Sequence, residues 1–240
     1  LIQFIQETLS RFEIYVSKRP HIRGVPTITG SYPAYEDLQT IGERSDYYIH
    51  KGYKPRSEPR YYNDMPNAGW QDEVYRYGKE LADLHGLKKV ADIGCGSAFK
   101  LMKYFSDHET VGTDVPRTCE ALRKRYPGRL WLDSDFTDGD APTVDLAICS
   151  DVIEHVMDPD ALVSFILRLT PKLVIISTPD RNLFRYGTHN GPPHNPTHIR
   201  EWSMPELHAY LSEYLEIEAH FISNAAQTTQ CVLGKPKSRP

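Results

Sequence analysis

An aspartate ends an apolar run and a glycine-rich bend follows at once: Val-Ala-Asp-Ile-Gly-Cys-Gly-Ser-Ala occupies 90–98. The bend lets backbone come close to a ligand at Gly94 and Gly96, and Asp92 sets that ligand's charge. A pyrophosphate held by helix-start N–H groups would be repelled by a carboxylate beside it, whereas a cationic amino-acid group would be held. Twenty residues beyond Gly94, the run Glu-Thr-Val-Gly-Thr-Asp (109–114) reads as a second short strand ending in Asp114, an acceptor placed for two ribose hydroxyls.

A second polar group follows the fourth strand-like run, in Asp-Val-Ile-Glu-His (151–155). If this stretch turns helically, Asp151, Glu154 and His155 share one face at i, i+3 and i+4 and offer three metal ligands. His198, in Pro-Thr-His-Ile-Arg-Glu-Trp (196–202), is a fourth candidate on a Pro- and His-rich loop. A hard divalent ion held by carboxylates and imidazole lowers the pKa of a bound hydroxyl, making an alcohol a usable nucleophile. Without a metal, His155 or His198 would act as general base, with His189 and His194 nearby.

S-adenosylmethionine has the ammonium, sulfonium and adenosine that such a site requires. The stretch D-x-G-x-G-x-A at 92–98 resembles the first motif of the class I S-adenosylmethionine-dependent methyltransferases, with Ala98 where that family more often has a third glycine. The dinucleotide pattern G-x-G-x-x-G would need Gly or Ala at 99, which is Phe, so an NAD-dependent reductase stays as an alternative only. The resemblance covers roughly 70–235. It implies an α/β, Rossmann-like fold with a seven-stranded, mostly parallel sheet and one antiparallel strand from a closing hairpin. It also implies that Asp135 lies near the adenine amine and Phe136 on the ring face, both in the Asp-Ser-Asp-Phe run at 133–136. Gln71 and Tyr75 are further candidates, for the donor's amino-acid end.

The set Asp151, Glu154, His155 and His198 is similar to the E-x-x-E-H plus distant His arrangement of the small-RNA 3′-terminal 2′-O-methyltransferases and the ubiquinone-pathway O-methyltransferases. Asp151 stands for their first Glu, one methylene shorter. The resemblance implies a metal (Mg, Mn, Fe or Zn) at these residues. Glu-His at this place also occurs in class I methyltransferases without a recognised metal, where the pair packs beside the donor.

Positioning these residues takes an alternation of strands at 88–93, 109–114, 129–133, 143–149 and 172–177 with helices at 98–106, 116–126 and 159–169, the pattern of a parallel sheet. A helix at 70–86 leads into the first strand. Another near 204–214 starts with Ser203 as N-cap and Pro205 in its first turn, and 215–222 and 228–234 form the closing hairpin. Residues 1–69 differ in character and read as a helical and loop cap ahead of a methyltransferase domain at 70–240. That cap is rich in tyrosine (Tyr47, Tyr48, Tyr53, Tyr61 and Tyr62), suited to a sugar or planar acceptor or to ordinary packing. Between Arg44 and Arg60 five basic residues (Arg44, Lys51, Lys54, Arg56, Arg60) outnumber Asp46 and Glu58, an excess that suits phosphates on an acceptor or a solvated face.

The formal net charge of −4 argues against a long polyanion track, and no apolar run is long enough for a membrane span. The four cysteines (Cys95, Cys119, Cys149 and Cys231) form no C-x-x-C pair, as expected of reduced thiols in a cytoplasmic protein. The chain begins with Leu, as a trimmed product or part of a longer polypeptide would. The expected activity is therefore O-methylation of a hydroxylated small molecule or glycan, sugar first and catechol-like acceptors second, with S-adenosylmethionine as donor. Methylation of an RNA 3′-terminal 2′-hydroxyl is the alternative from the same site. A catalytically silent donor-binding domain is the alternative from another class.

Overall fold

The computed structural model describes residues 69–134, 136, 141–184, 193, 195 and 197–238. The expected cap at 1–69, with its tyrosines and basic run, lies outside the described residues except for Gly69. So do Asp135, His189 and His194.

The described chain runs α1 (Asp72–His85), β1 (Lys89–Ile93), α2 (Phe99–Phe105), β2 (Glu109–Asp114), α3 (Pro116–Arg125), β3 (Leu130–Asp133), β4 (Leu146–Ser150), α4 (Pro159–Arg168), β5 (Leu173–Pro179), a short α5 (Arg181–Phe184), α6 (Met204–Ser212), β6 (Leu215–Asn224) and β7 (Thr229–Pro236). The strands form one seven-stranded sheet in the order β3-β2-β1-β4-β5-β7-β6. Strands β1 to β5 are parallel, and β7 enters antiparallel between β5 and β6. This is the expected α/β architecture, hairpin included.

Successive side chains of the central strands serve opposite faces. Val90, Leu146, Ile148, Leu173 and Ile175 pack under α1, α2 and α3, with Val74, Leu81, Leu101, Phe105 and Leu122. Ala91, Ile93, Ala147, Cys149, Val174 and Ile176 pack under α4 and α6, with Leu162, Ile166, Leu207 and Leu211. Burial on both faces explains why these strands read as unbroken apolar runs.

Pro116, Pro159 and Pro205 stand in the first turns of α3, α4 and α6. Ser203 forms a capping box with Glu206, whose Oε2 accepts from Ser203 N at 2.7 Å. The fourth strand starts at Leu146, later than 143, and just ahead of it the Asp145 carboxylate accepts the Lys88 and Lys89 amides. All four cysteines are buried and free. Among the described residues, no helix is long and apolar enough to cross a membrane.

Candidate functional site

The parallel order reverses at β1 and β4, and the polar residues gather at the carboxyl ends of those strands, where open α/β sheets bind ligands. The β1–α2 bend has Gly94 at φ 72° and Gly96 at φ 52°, and Ala98 is also left-handed at φ 55°. The bend is tied to β2: Gly94 N and Cys95 N donate to Thr113 O, and Gly96 N donates to Asp114 Oδ2 at 2.8 Å. A Cβ on Gly94 would stand 2.4 Å from Val152 Cγ2, so glycine there lets the bend abut the segment after β4.

Asp92 is buried at the end of β1, and the Tyr75 hydroxyl of α1 reaches its two oxygens at 3.0 and 3.1 Å. Asp114 also receives Val115 N at 2.8 Å, and burial raises its carboxyl above the usual range. Each of its oxygens has a second lone pair for a ligand hydroxyl. Phe136 stacks edge-on to Phe165 with ring centroids 5.6 Å apart, and its amide is held by Ser134 Oγ. The expected donor residues Asp92, Gly94, Gly96, Asp114 and Tyr75 thus cluster around one bend.

The acceptor side differs from the expectation. Residues 151–155 do not form a continuous helical turn: Asp151 is left-handed at φ 53°, and only Ile153–His155 make a single 3-10 turn. Asp151 therefore leaves the face shared by Glu154 and His155. Its carboxylate accepts instead from Gln71 Nε2 and from Ser177 Oγ, each at 2.9 Å. Gln71, expected at the donor, is thus committed to Asp151.

Glu154, His155 and His198 do converge, with one potential ligand atom from each lying within 4.8 Å of the others. Glu154 is buried and accepts from Thr178 Oγ1 at 2.9 Å. Burial, then the Asp151 charge, pushes its carboxyl up to about 8, against the opposing effects of His198 and Thr178. The two imidazoles contact each other at 4.9 Å between centroids. His155 Nδ1 lies 2.7 Å from Thr197 O, and His198 Nδ1 lies 2.8 Å from Glu201 Oε1. With Nδ1 protonated in both rings, each Nε2 is the nitrogen that can accept, as in histidine metal sites; in His198 it lies 3.0 Å from Asn195 Nδ2, and in His155 it lies 3.8 Å from Glu154 Oε1. One carboxylate and two imidazoles suit Mn, Fe or Zn better than Mg.

The loop carrying His198 is strapped down. Ile199 N donates to Glu154 O at 2.7 Å, and Arg200 donates to Val156 O and Met157 O. Asp180 pairs with Trp202 in an isolated bridge. Arg181 bonds Glu201 O and forms a buried ion pair with Glu206 at 2.7 Å. Sequence reasoning missed Glu201, Ser177, Thr178 and Asn195. Of these, Asn195 and Glu201 carried a local signal, three residues before and three after His198.

A doubly wound sheet with an acidic strand end and a glycine bend at its switch point defines a class I methyltransferase fold. The family described as "Methyltransferase domain" matches residues 64–217, and the chain belongs to it. It is an S-adenosylmethionine-dependent methyltransferase. A small RNA 2′-O-methyltransferase of Rattus norvegicus is 30% identical over 170 residues, covering 58% of this chain and 41% of that protein. The small RNA 2′-O-methyltransferase of Mus musculus is 31% identical over 134 residues, covering 44% and 33%. The chain thus spans less than half the length of either relative. Among solved structures, the methyltransferase domain of bacterial CtHen1-C superposes with a TM-score of 0.54 at 21% identity, over 70% of this chain and 99% of that one. Magnesium protoporphyrin IX methyltransferase from Synechocystis PCC 6803, with bound S-adenosylhomocysteine, gives 0.54 at 13% identity, over 75% and 90%. Both likenesses show the fold.

Proposed function

We propose that this chain transfers a methyl group from S-adenosylmethionine to a ribose 2′-hydroxyl at the 3′ end of a small RNA, with a divalent cation held by Glu154, His155 and His198. The convergence of those three side chains, each imidazole anchored through Nδ1, is the observation that carries the reading. The small-RNA activity named for the two mammalian relatives supports this acceptor over the free sugar or glycan favoured by sequence alone. A terminal ribose is itself a vicinal diol, as catechol-like acceptors and many sugars are. A net charge of −4 is compatible with gripping one end, which needs few phosphate contacts.

In this reading Asp92, oriented by Tyr75, holds the donor's ammonium, and Asp114 accepts from its ribose hydroxyls. Gly94 and Gly96 let the backbone lie against the amino-acid arm. Phe136 lines the adenine pocket. Bound at the three ligands, a divalent ion supplies Lewis acidity that lowers the pKa of a hydroxyl. The protein's own task is alignment: the bend at Gly94 touches Val152, so donor and acceptor sites share a wall. The new oxygen–carbon bond forms as the carbon–sulfur bond breaks, the electron pair staying on sulfur. S-adenosylhomocysteine is the leaving group, and the hydroxyl proton passes to solvent water, which reaches the site beside the 39% exposed His155 side chain.

The test is methyl transfer from radiolabelled donor to a short RNA ending in a 2′,3′-diol, beside the same RNA ending in 2′-deoxyribose, free sugars and catechol. Labelling of the diol RNA alone, abolished by chelator and restored by Mn²⁺, is the expected result. Labelling of free sugars or catechol but not RNA overturns the acceptor assignment.

A further inference from the structure

His155 and His198 are anchored in different ways. The Nδ1 of His155 meets a main-chain carbonyl, Thr197 O, which no substitution at 197 removes. The Nδ1 of His198 meets a side chain, Glu201 Oε1, at 2.8 Å. Glu201 is itself fixed: it is 1% exposed, and its carbonyl accepts from Arg181 Nη1 at 3.1 Å. Arg181 is in turn clamped by Glu206. A carboxylate on so rigid a mount cannot follow the imidazole if the ring turns, so it holds the ring to one orientation.

We propose that Glu201 is a positioning residue that fixes the tautomer and aim of His198, and so sets the affinity of the Glu154, His155 and His198 cluster for a divalent cation. Accepting the Nδ1 proton leaves the lone pair on Nε2. That nitrogen lies 3.0 Å from Asn195 Nδ2, an amide donor consistent with this tautomer and displaceable by a cation. Glu201 does not belong to the converging group of ligands and meets that group at His198. The inference rests on the cation reading of the site.

The experiment is calorimetric titration of Mn²⁺ into the full chain saturated with S-adenosylhomocysteine, for the wild type, His198→Ala, Glu201→Ala and Glu201→Gln. Loss of a ligand is expected to abolish measurable binding in His198→Ala. Loss of the anchoring carboxylate weakens binding about 10–100-fold in Glu201→Ala. Glu201→Gln, whose amide oxygen still accepts from Nδ1, recovers most of that loss, and affinity for S-adenosylhomocysteine is the same in all four. If the wild type binds no Mn²⁺, or His198→Ala binds as the wild type does, the cation reading itself falls. If His198→Ala loses binding while Glu201→Ala does not, the cation reading stands and the role of Glu201 is refuted. Equal loss of S-adenosylhomocysteine and Mn²⁺ affinity in both Glu201 variants refutes it too, since it marks general collapse.

Discussion

The contact between the glycine bend and Val152 joins the two halves of the site, and replacing Gly94 with alanine measures it. At φ 72° an alanine pays about 1–2 kcal/mol for left-handed backbone. Its Cβ would lie 2.4 Å from Val152 Cγ2 and 3.0 Å from Cγ1, an overpacking that costs roughly 1–3 kcal/mol. Alanine's smaller freedom in the unfolded chain returns under about 1 kcal/mol. The net destabilisation is therefore about 2–4 kcal/mol, or roughly 4–16 °C in Tm for a domain of this size. Val152→Ala deletes both clashing atoms, so in that background Gly94→Ala retains only the backbone term, about 1–2 kcal/mol. Urea unfolding of the four proteins in a double-mutant cycle should show the pair less destabilised than the sum of the singles, by roughly 1–3 kcal/mol. Additivity within about 0.5 kcal/mol would refute the argument, because it means the bend and the segment after β4 do not touch.

Three further outcomes follow from the same geometry. Asp92→Asn should weaken S-adenosylmethionine binding at least about tenfold by calorimetry, near 1.4 kcal/mol, and Tyr75→Phe by less; unchanged affinity in Asp92→Asn removes the carboxylate from the donor site. His155→Ala and His198→Ala should each lower turnover roughly 100-fold or more while leaving S-adenosylhomocysteine affinity within about threefold. Turnover by the wild type that ignores chelators would contradict the cation's part in it. Burial holds the His220 imidazole at about 4, below its ordinary value, against a hydrogen bond from its Nε2 to Gln230 that raises it. The folded ring stays neutral while the unfolded one takes up a proton below about 6.5, so stability present above that pH falls by roughly 1.4 kcal/mol per unit down to about 4. His220→Asn should flatten that part of the pH profile of urea midpoints, and an unaltered slope would show that His220 is not the group responsible.

The parts of this molecule that could be read in the sequence are those written in neighbouring residues. Apolar runs mark β1, β4 and β5 because both faces of those strands are buried. Ser203 and Pro205 mark the start of α6 because a cap and a proline act within one turn. Asp92, Gly94, Gly96 and Asp114 were legible because the bend forces the carboxylates and glycines together whatever surrounds them. Ala98 shows the limit of that reading: its φ of 55° is a conformation for which glycine is the relaxed choice, and an alanine there is held by burial.

Asp151 was misplaced for a physical reason. A spacing of i, i+3, i+4 defines a face only where the backbone is helical, and after β4 it is not. The left-handed Asp151 is held by partners remote in sequence: its carboxylate accepts from Gln71, on the approach to α1, and from Ser177 in β5, and its amide donates to Ser177 O. A side chain one methylene shorter than glutamate, on a left-handed residue with both oxygens already engaged, faces the Gln71 and Ser177 donors. Glu154, within the 3-10 turn that follows, supplies the carboxylate that converges with the histidines, while Asp151 interacts with them through its charge. The enclosed negative charge of Asp151 still acts on its neighbour, raising the Glu154 carboxyl. Asp151 thus lies outside the converging group of Glu154, His155 and His198 and still bears on its electrostatics.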